Sequence, residues 1–350
     1  MQPPEFRVAV SAERGVGMQT VSINVCNLCV PCENRCRYCL LSWDGKLRGI
    51  DYERSAVYAK RFYEWLKEKR PELSFAFYYG YSMEHPTLLE TVDFLRDMNS
   101  PGGTFLQFDG MKFRSDGEIH ELLTNLKAHG IQLIDLTFYG TEAYHDRFAA
   151  RQGDFGYLMR ILKTANMIGL SVNAGIALNQ ENANQAGTLL DQLQRHKLNH
   201  VFAFVPHGEG RGENLEPVRF CQSDYDALPD SVKKIFNRSK FRPEGEWVRE
   251  GQFSTARKRV LAVGLTWENA DFFEHMDFAD TIAYLEKLDD EYYSAIPTLP
   301  DLAKIYGDAG EDRFYSERDL FLKYQRRYVR EHQLKLYDMN DERFCFSRRF

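Results

Sequence analysis

The sequence predicts an α/β protein, a partial (β/α)6 barrel of TIM-like layout followed by a mainly helical C-terminal extension. Three observations carry this. Short apolar runs alternate with helical patterns from about residue 19 to residue 206. After the first run their starts recur about every 30 residues, the size of one βα unit. Beyond about residue 208 that rhythm stops. Alternating βα units imply a parallel sheet with right-handed crossovers. Six units are too few to close an eight-stranded barrel, so an open doubly wound sheet is the other arrangement the pattern allows.

Strands are expected over 20–25, 74–79, 104–108, 132–138, 171–178 and 201–205. Helical patterns lie between them. The first, 53–70, sets Val57, Phe62, Trp65 and Leu66 on one stripe, and 87–98 carries Leu88, Val92 and Leu95. The third, 115–128, opens on Ser115 and Glu118, the spacing of a capping box, and Gly130 stops it. In 155–168, Leu158, Ile161, Leu162 and Ala165 face inward; 189–198 is the fifth. Residues 208–260 are rich in Gly, Pro, Arg and Glu, and helical patterns return at 280–289 and 317–331. The chain therefore divides into an N-terminal segment (1–17), a barrel core (18–225) and a helical region (226–350).

Composition narrows the class. Hydrophobic residues make up 43 % of the 350 and aromatics 14 %, enough for a large core. The net charge of −6 argues against a chain that coats nucleic acid. No apolar run reaches the roughly 18 residues of a membrane span, and residues 1–19 lack the apolar stretch of a signal peptide. A cytoplasmic protein is expected. Five of the seven cysteines, Cys26, Cys29, Cys32, Cys36 and Cys39, fall within fourteen residues, directly after the first strand. In a reducing compartment such a cluster reads as a metal site rather than a disulfide framework.

Cys32-x3-Cys36-x2-Cys39 offers three thiolates in one short loop, which can hold three corners of an iron–sulfur cubane and leave the fourth iron open. Cys26-x2-Cys29 with Cys36-x2-Cys39 could instead form a four-cysteine zinc knuckle, the core of a binding module without redox chemistry. In a parallel α/β sheet, ligands are expected beyond the C-terminal strand ends, and the cysteines sit there.

With Tyr38 before its last cysteine, the segment resembles the radical S-adenosylmethionine (radical SAM) superfamily over roughly residues 18–220. The resemblance implies one [4Fe–4S] cluster on Cys32, Cys36 and Cys39, with S-adenosylmethionine chelating the open iron. Reductive cleavage then gives a 5′-deoxyadenosyl radical that abstracts hydrogen from a peptide or small polar metabolite. An electron donor such as flavodoxin or ferredoxin is implied. Tyr79-Gly80-Tyr81-Ser82-Met83-Glu84-His85-Pro86 occupies the place of the family's Gly-Gly-Glu-Pro segment, so Gly80, Ser82 and Glu84 become cofactor candidates, although no Gly-Gly pair is present. Thr137 after the fourth strand is placed for the cofactor carboxylate or ribose, and Arg151, or Arg147 in its stead, for the carboxylate. His145-Asp146-Arg147 reads equally as a polar network shaping a loop. Asn173 and Asn179 could meet the ribose or merely cap the next helix. Phe204 and Val205 are candidate adenine contacts, and His207 and Arg211 could meet substrate.

Cys221 and Cys345 stand alone, so no auxiliary-cluster motif follows. Arg257-Lys258-Arg259 and the cations Lys323, Arg326, Arg327 and Arg330 could be a solvated face or a site for phosphate or an acidic peptide.

Overall fold

The computed structural model describes residues 19–27, 32–39, 49–79, 84–98, 100, 103–253 and 259–334. The first half follows the expected alternation: β1 (Thr20–Asn27), α1 (Tyr52–Lys69), β2 (Ser74–Tyr79), α2 (Leu88–Asp97), β3 (Phe105–Gln107), α3 (Asp116–Ala128), β4 (Leu133–Phe138), α4 (Glu142–Ala149), α5 (Asp154–Ile168), β5 (Ser171–Ala177), α6 (Ala186–Leu193) and β6 (His200–Phe204). Then come α7 (Gln222–Ala227), α8 (Asp230–Ile235), β7 (Arg242–Pro243), α9 (Glu244–Glu250), β8 (Arg259–Gly264), α10 (Ala270–His275), α11 (Phe278–Ala295), α12 (Leu299–Tyr306), β9 (Phe314–Tyr315) and α13 (Glu317–Glu331).

Among the described residues the barrel wall comprises two sheets, ordered β2-β1-β8 and β3-β4-β5-β6, with every pairing inside them parallel. Outward side chains of β4 and β5 pack under α3, α5 and α6 through Ile134, Leu136, Val172, Ala174 and Ile176. Ile23 and Val25 of β1 and Leu261 and Val263 of β8 do the same under α1 and α11. Ser115 and Glu118 close the capping box of α3: the Ser115 Oγ accepts from the Glu118 amide at 3.3 Å, and the Glu118 carboxylate accepts from the Ser115 amide at 2.7 Å. No described helix is long and apolar enough to cross a membrane.

Three expectations change. Val57 is 59 % exposed, because α1 buries Ser55, Tyr58, Ala59, Phe62 and Leu66. Those positions recur at the three- and four-residue spacing of one helical face, and Val57 lies off it. The region read as mainly helical also returns a strand to the barrel, since β8 lies parallel to β1 with Ile23 opposite Leu261. Arg259, read as part of a basic cluster, is instead buried at the start of β8, where its Nε donates to Asp289 of α11 at 2.8 Å.

Candidate functional site

β1 delivers the chain to the C-terminal rim, and the segment from Cys32 to Cys39 lies across it. Three rim loops hold its backbone. The Glu33 amide donates to Gly110 O at 2.8 Å, Arg35 and Arg37 amides donate to Ala149 O (2.8 Å) and Phe148 O (3.0 Å), and the Arg211 amide donates to Cys39 O at 2.9 Å. Arg211 Nε adds a bond to Cys36 O at 3.0 Å. Tyr38 packs edge-on against Tyr139, ring centroids 5.3 Å apart, and against Phe148 at 5.8 Å.

Burial pushes the thiols of Cys32 and Cys36 up to about 12, with the neighbouring charge of Cys39 a smaller contribution in the same direction. Three thiols thus share one neighbourhood, and at neutral pH Cys32 and Cys36 stay protonated until a metal displaces the proton, as coordinated thiols require. Gly110 makes room for them. Its φ is +73°, and a Cβ there would lie 2.0 Å from Cys32 Sγ. Tyr139 Oη reaches Cys36 Sγ at 3.4 Å. Among the described residues, no three His, Cys, Asp or Glu side chains gather about a single metal ion. Cys26 is buried in β1 between Tyr78 of β2 and Gly264 of β8, and Cys29 lies outside the described residues.

The other expected site residues separate into four groups. Gly80 and Ser82 lie outside the described residues. Thr137 and Phe204 line a cavity of about 720 Å³ that Tyr38 also lines, so they share space with the cysteine segment. Val205 is 1 % exposed and belongs to the core outside that cavity. Glu84, Arg151 and Asn173 are engaged elsewhere. Glu84 receives both Arg114 nitrogens at 2.9 Å and the Lys112 amide at 2.8 Å, so its carboxylate pins the loop after β3.

Arg151 pairs with Asp154 at 3.2 Å, reaches Asn34 Oδ1 at 3.3 Å and stacks 3.7 Å above Phe113. Asn173 is the third residue of β5, level with Asp135 of β4 and His200 of β6. That places it deep in the barrel rather than at the rim, where Asn199 donates to it at 2.9 Å. Asn179 stands at the rim but accepts from Tyr144 Oη (3.1 Å) and the Glu181 amide (2.8 Å), a turn-capping role.

The stretch from His145 to Asp154 is a loop-shaping network. Asp154, 1 % exposed, accepts from Asn34 Nδ2 at 2.9 Å and meets His145 Nε2 at 3.2 Å. His145 Nδ1 accepts from the Tyr139 amide at 3.2 Å, and Asp146 caps α5 through the Gly153 and Phe155 amides. Asn34 and Asp154 escaped the sequence reading, although Asn34 lies inside the cysteine loop and Asp154 only three residues after Arg151. Asp109, which accepts from the Thr137 amide at 2.9 Å, carried no motif at all. Burial lifts its carboxyl to about 6, against the hydrogen bonds of Thr137 and Gln107.

A second network follows β6. His207 Nδ1 lies 3.0 Å from Asp319 of α13, and Arg219 approaches the same carboxylate at 3.4 Å. Burial alone would raise the Asp319 carboxyl, but His207 and Arg219 hold it far below the usual range. Lys323 pairs with buried Glu244, and Arg326 donates to Gly208 O at 2.6 Å, so neither belongs to a freely solvated face. Arg327 does, paired with Glu331 at 2.9 Å on the surface.

No protein-family model matches the chain, and no curated protein does. Solved structures do. One is SuiB of Streptococcus suis bound to precursor peptide SuiA, 12 % identical with a TM-score of 0.46, over 76 % of this chain and 55 % of that one. A second is coproporphyrinogen III oxidase (HemN) from Escherichia coli, a radical SAM enzyme, at 12 % identity and a TM-score of 0.43, over 88 % of this chain and 91 % of that one. A third is anSMEcpe with bound AdoMet and the Kp18Cys peptide, 17 % identical with a TM-score of 0.41, over 69 % and 63 %. The chain thus spans about half of SuiB (55 %). Likeness at this level concerns the course of the chain and carries no argument about chemistry.

Proposed function

We propose that the chain is a radical SAM enzyme holding one [4Fe–4S] cluster on Cys32, Cys36 and Cys39. The observation that carries this reading is the rim itself. A three-thiol loop lies at the C-terminal ends of parallel strands, with Gly110 leaving space for the Cys32 sulfur and Cys26 enclosed within the sheet. When bound, the cluster and S-adenosylmethionine supply a 5′-deoxyadenosyl radical for hydrogen abstraction.

The chain's residues position and enclose. Asn34, Arg211 and the backbone of Phe148 and Ala149 fix the loop, Tyr38 and Tyr139 shield one side of it, and Glu84 anchors the neighbouring loop. Thr137 offers the chamber a hydroxyl for a polar cofactor group, and Phe204 offers a ring face for the adenine. Arg151 orients Asp154 and Asn34 rather than clamping a carboxylate. The substrate class is a peptide or small polar metabolite, and flavodoxin or ferredoxin is a suitable reductant.

Anaerobic reconstitution with iron and sulfide tests this. The expected product carries about four irons per chain, absorbs broadly in the visible range, and releases 5′-deoxyadenosine from S-adenosylmethionine when dithionite is present. Cys36→Ala should lose both cluster and cleavage, and Cys29→Ala should keep them. Tight zinc with no cofactor cleavage overturns the proposal in favour of a zinc-stabilised binding module.

A further inference from the structure

Inward positions of a closed (β/α)8 barrel are filled by bulky branched residues and pack solid. This barrel is different. Register places Asp135, Asn173 and His200 at one level of the lumen, and Thr137, Gly175 and Phe202 at the level above. Gly175 clears the upper level, since a Cβ there would lie 3.0 Å from the Phe202 ring. Residues of β4 and β6, among them Asp135, Thr137, His200, Phe202 and Phe204, line a cavity of about 720 Å³, a size typical of ligand sites.

Among the described residues Asp135 supplies the only carboxylate in the wall of that cavity. No described Lys or Arg pairs with it; Asn173 hydrogen-bonds the carboxylate and His200 lies beside it, yet its Oδ1 is left without a donor. An acceptor left so is costly unless something entering the cavity satisfies it. Asp135 lies two residues below Thr137 on β4, roughly 7 Å along the strand. A group bound there can therefore belong to a ligand whose other end lies nearer the cysteine rim. Phe202 and Phe204 border the path, and aromatic faces attract a passing cation. At the mouth, exposed Lys234 and Lys240 make no ion pair among the described residues and suit the α-carboxylate of a free amino acid.

We propose that the barrel lumen takes the basic side chain of a lysine or arginine, with its ammonium or guanidinium group at Asp135. This rests on the radical-enzyme reading for what happens to the ligand, but binding itself requires no iron. The ligand's source is either a free amino acid or a residue within a peptide.

The full chain, purified without iron, would be titrated calorimetrically with L-lysine, L-arginine and their N-acetylated amides, and with L-norleucine and L-glutamate as controls. Basic probes are expected to bind at least about tenfold more tightly than norleucine or glutamate, and Asp135→Asn to remove about tenfold of that affinity. Asp135→Glu should restore part of it. Preference for the free amino acids identifies the Lys234 and Lys240 mouth as a carboxylate site. Equal or tighter binding of the capped forms identifies a peptide residue, and both results support the lumen assignment. Norleucine or glutamate binding as tightly as lysine overturns it, as does an Asp135→Asn chain with unchanged affinity or the absence of any binding by basic probes. If Asp135→Asn fails to fold, the ranking with the unaltered chain still decides. Failure of cofactor cleavage with basic-probe binding intact would sink the radical chemistry and leave the lumen assignment standing.

Discussion

Two polar networks grip the cysteine segment from opposite sides, and they differ in how the chain builds them. On one side, His145, Asp146, Arg151 and Asp154 lie within a single turn-and-helix stretch and reach the segment directly through Asn34. On the other, His207, Arg219 and Asp319 are drawn from β6 and the distant α13, and act on the segment through the loop that carries Arg211. The first is a local device aimed at the cysteines. The second ties the C-terminal helices to the barrel rim and touches the cysteines only at one remove. Damage to the first should therefore couple stability and metal loading, and damage to the second should separate them.

The largest effect is expected from Asp154→Ala. It would strand Arg151, buried His145 and Asn34 without their shared acceptor, and removing one partner of a buried pair costs about 3–5 kcal/mol. Urea unfolding should show that loss as a lower midpoint, and the reconstituted chain should hold less iron. An Asp154→Ala protein of unchanged stability with full iron content would break the comparison.

Asp319→Asn comes next. Because His207 and Arg219 depress the carboxyl below its ordinary 3.8, the charged form stabilises the fold. That contribution is complete above pH 3.8 and is lost as pH falls below it towards the depressed folded value. Asp319→Asn should therefore be less stable at neutral pH, by about 1–3 kcal/mol for the charge-assisted bonds removed. The gap to the unaltered chain should narrow under acid in urea titrations run at a series of pH values. Iron content should change little. A gap independent of pH would remove Asp319 from the role given it.

The same contrast explains what was legible in the sequence. The βα rhythm and the capping box at Ser115 are written in spacings of three to thirty residues, and each appears where the pattern puts it. The His145–Asp154 stretch was visible as a string of polar residues, but not the pairing of Arg151 with Asp154, because an arginine's partner depends on which loops meet above the sheet. Glu84 and Asn173 failed for related reasons. Glu84 found Arg114 beyond α2 and β3, in the loop after the next strand, and Asn173 sits low in β5, a depth fixed by register with β4 rather than by its own neighbours. β8 carried an apolar run like any strand, yet nothing local says that it returns to β1 across more than 200 positions.

Gly110 belongs to neither grip and supplies the sharpest separation of metal loading from stability. Its backbone carbonyl accepts from Glu33, and its missing side chain is what lets Cys32 Sγ sit where a Cβ would otherwise stand at 2.0 Å. In Gly110→Ala the new methyl group and the positive φ act together. The backbone term is modest, about 1–2 kcal/mol for a non-glycine residue held in the left-handed region. The thiol must then move by more than an ångström, because no carbon and sulfur approach so closely. The expected result is a chain that melts only a few degrees lower yet retains little iron after anaerobic reconstitution. A variant that loads iron normally would show that Cys32 reaches its metal from another position, and the rim geometry would have to be redrawn around Cys36 and Cys39.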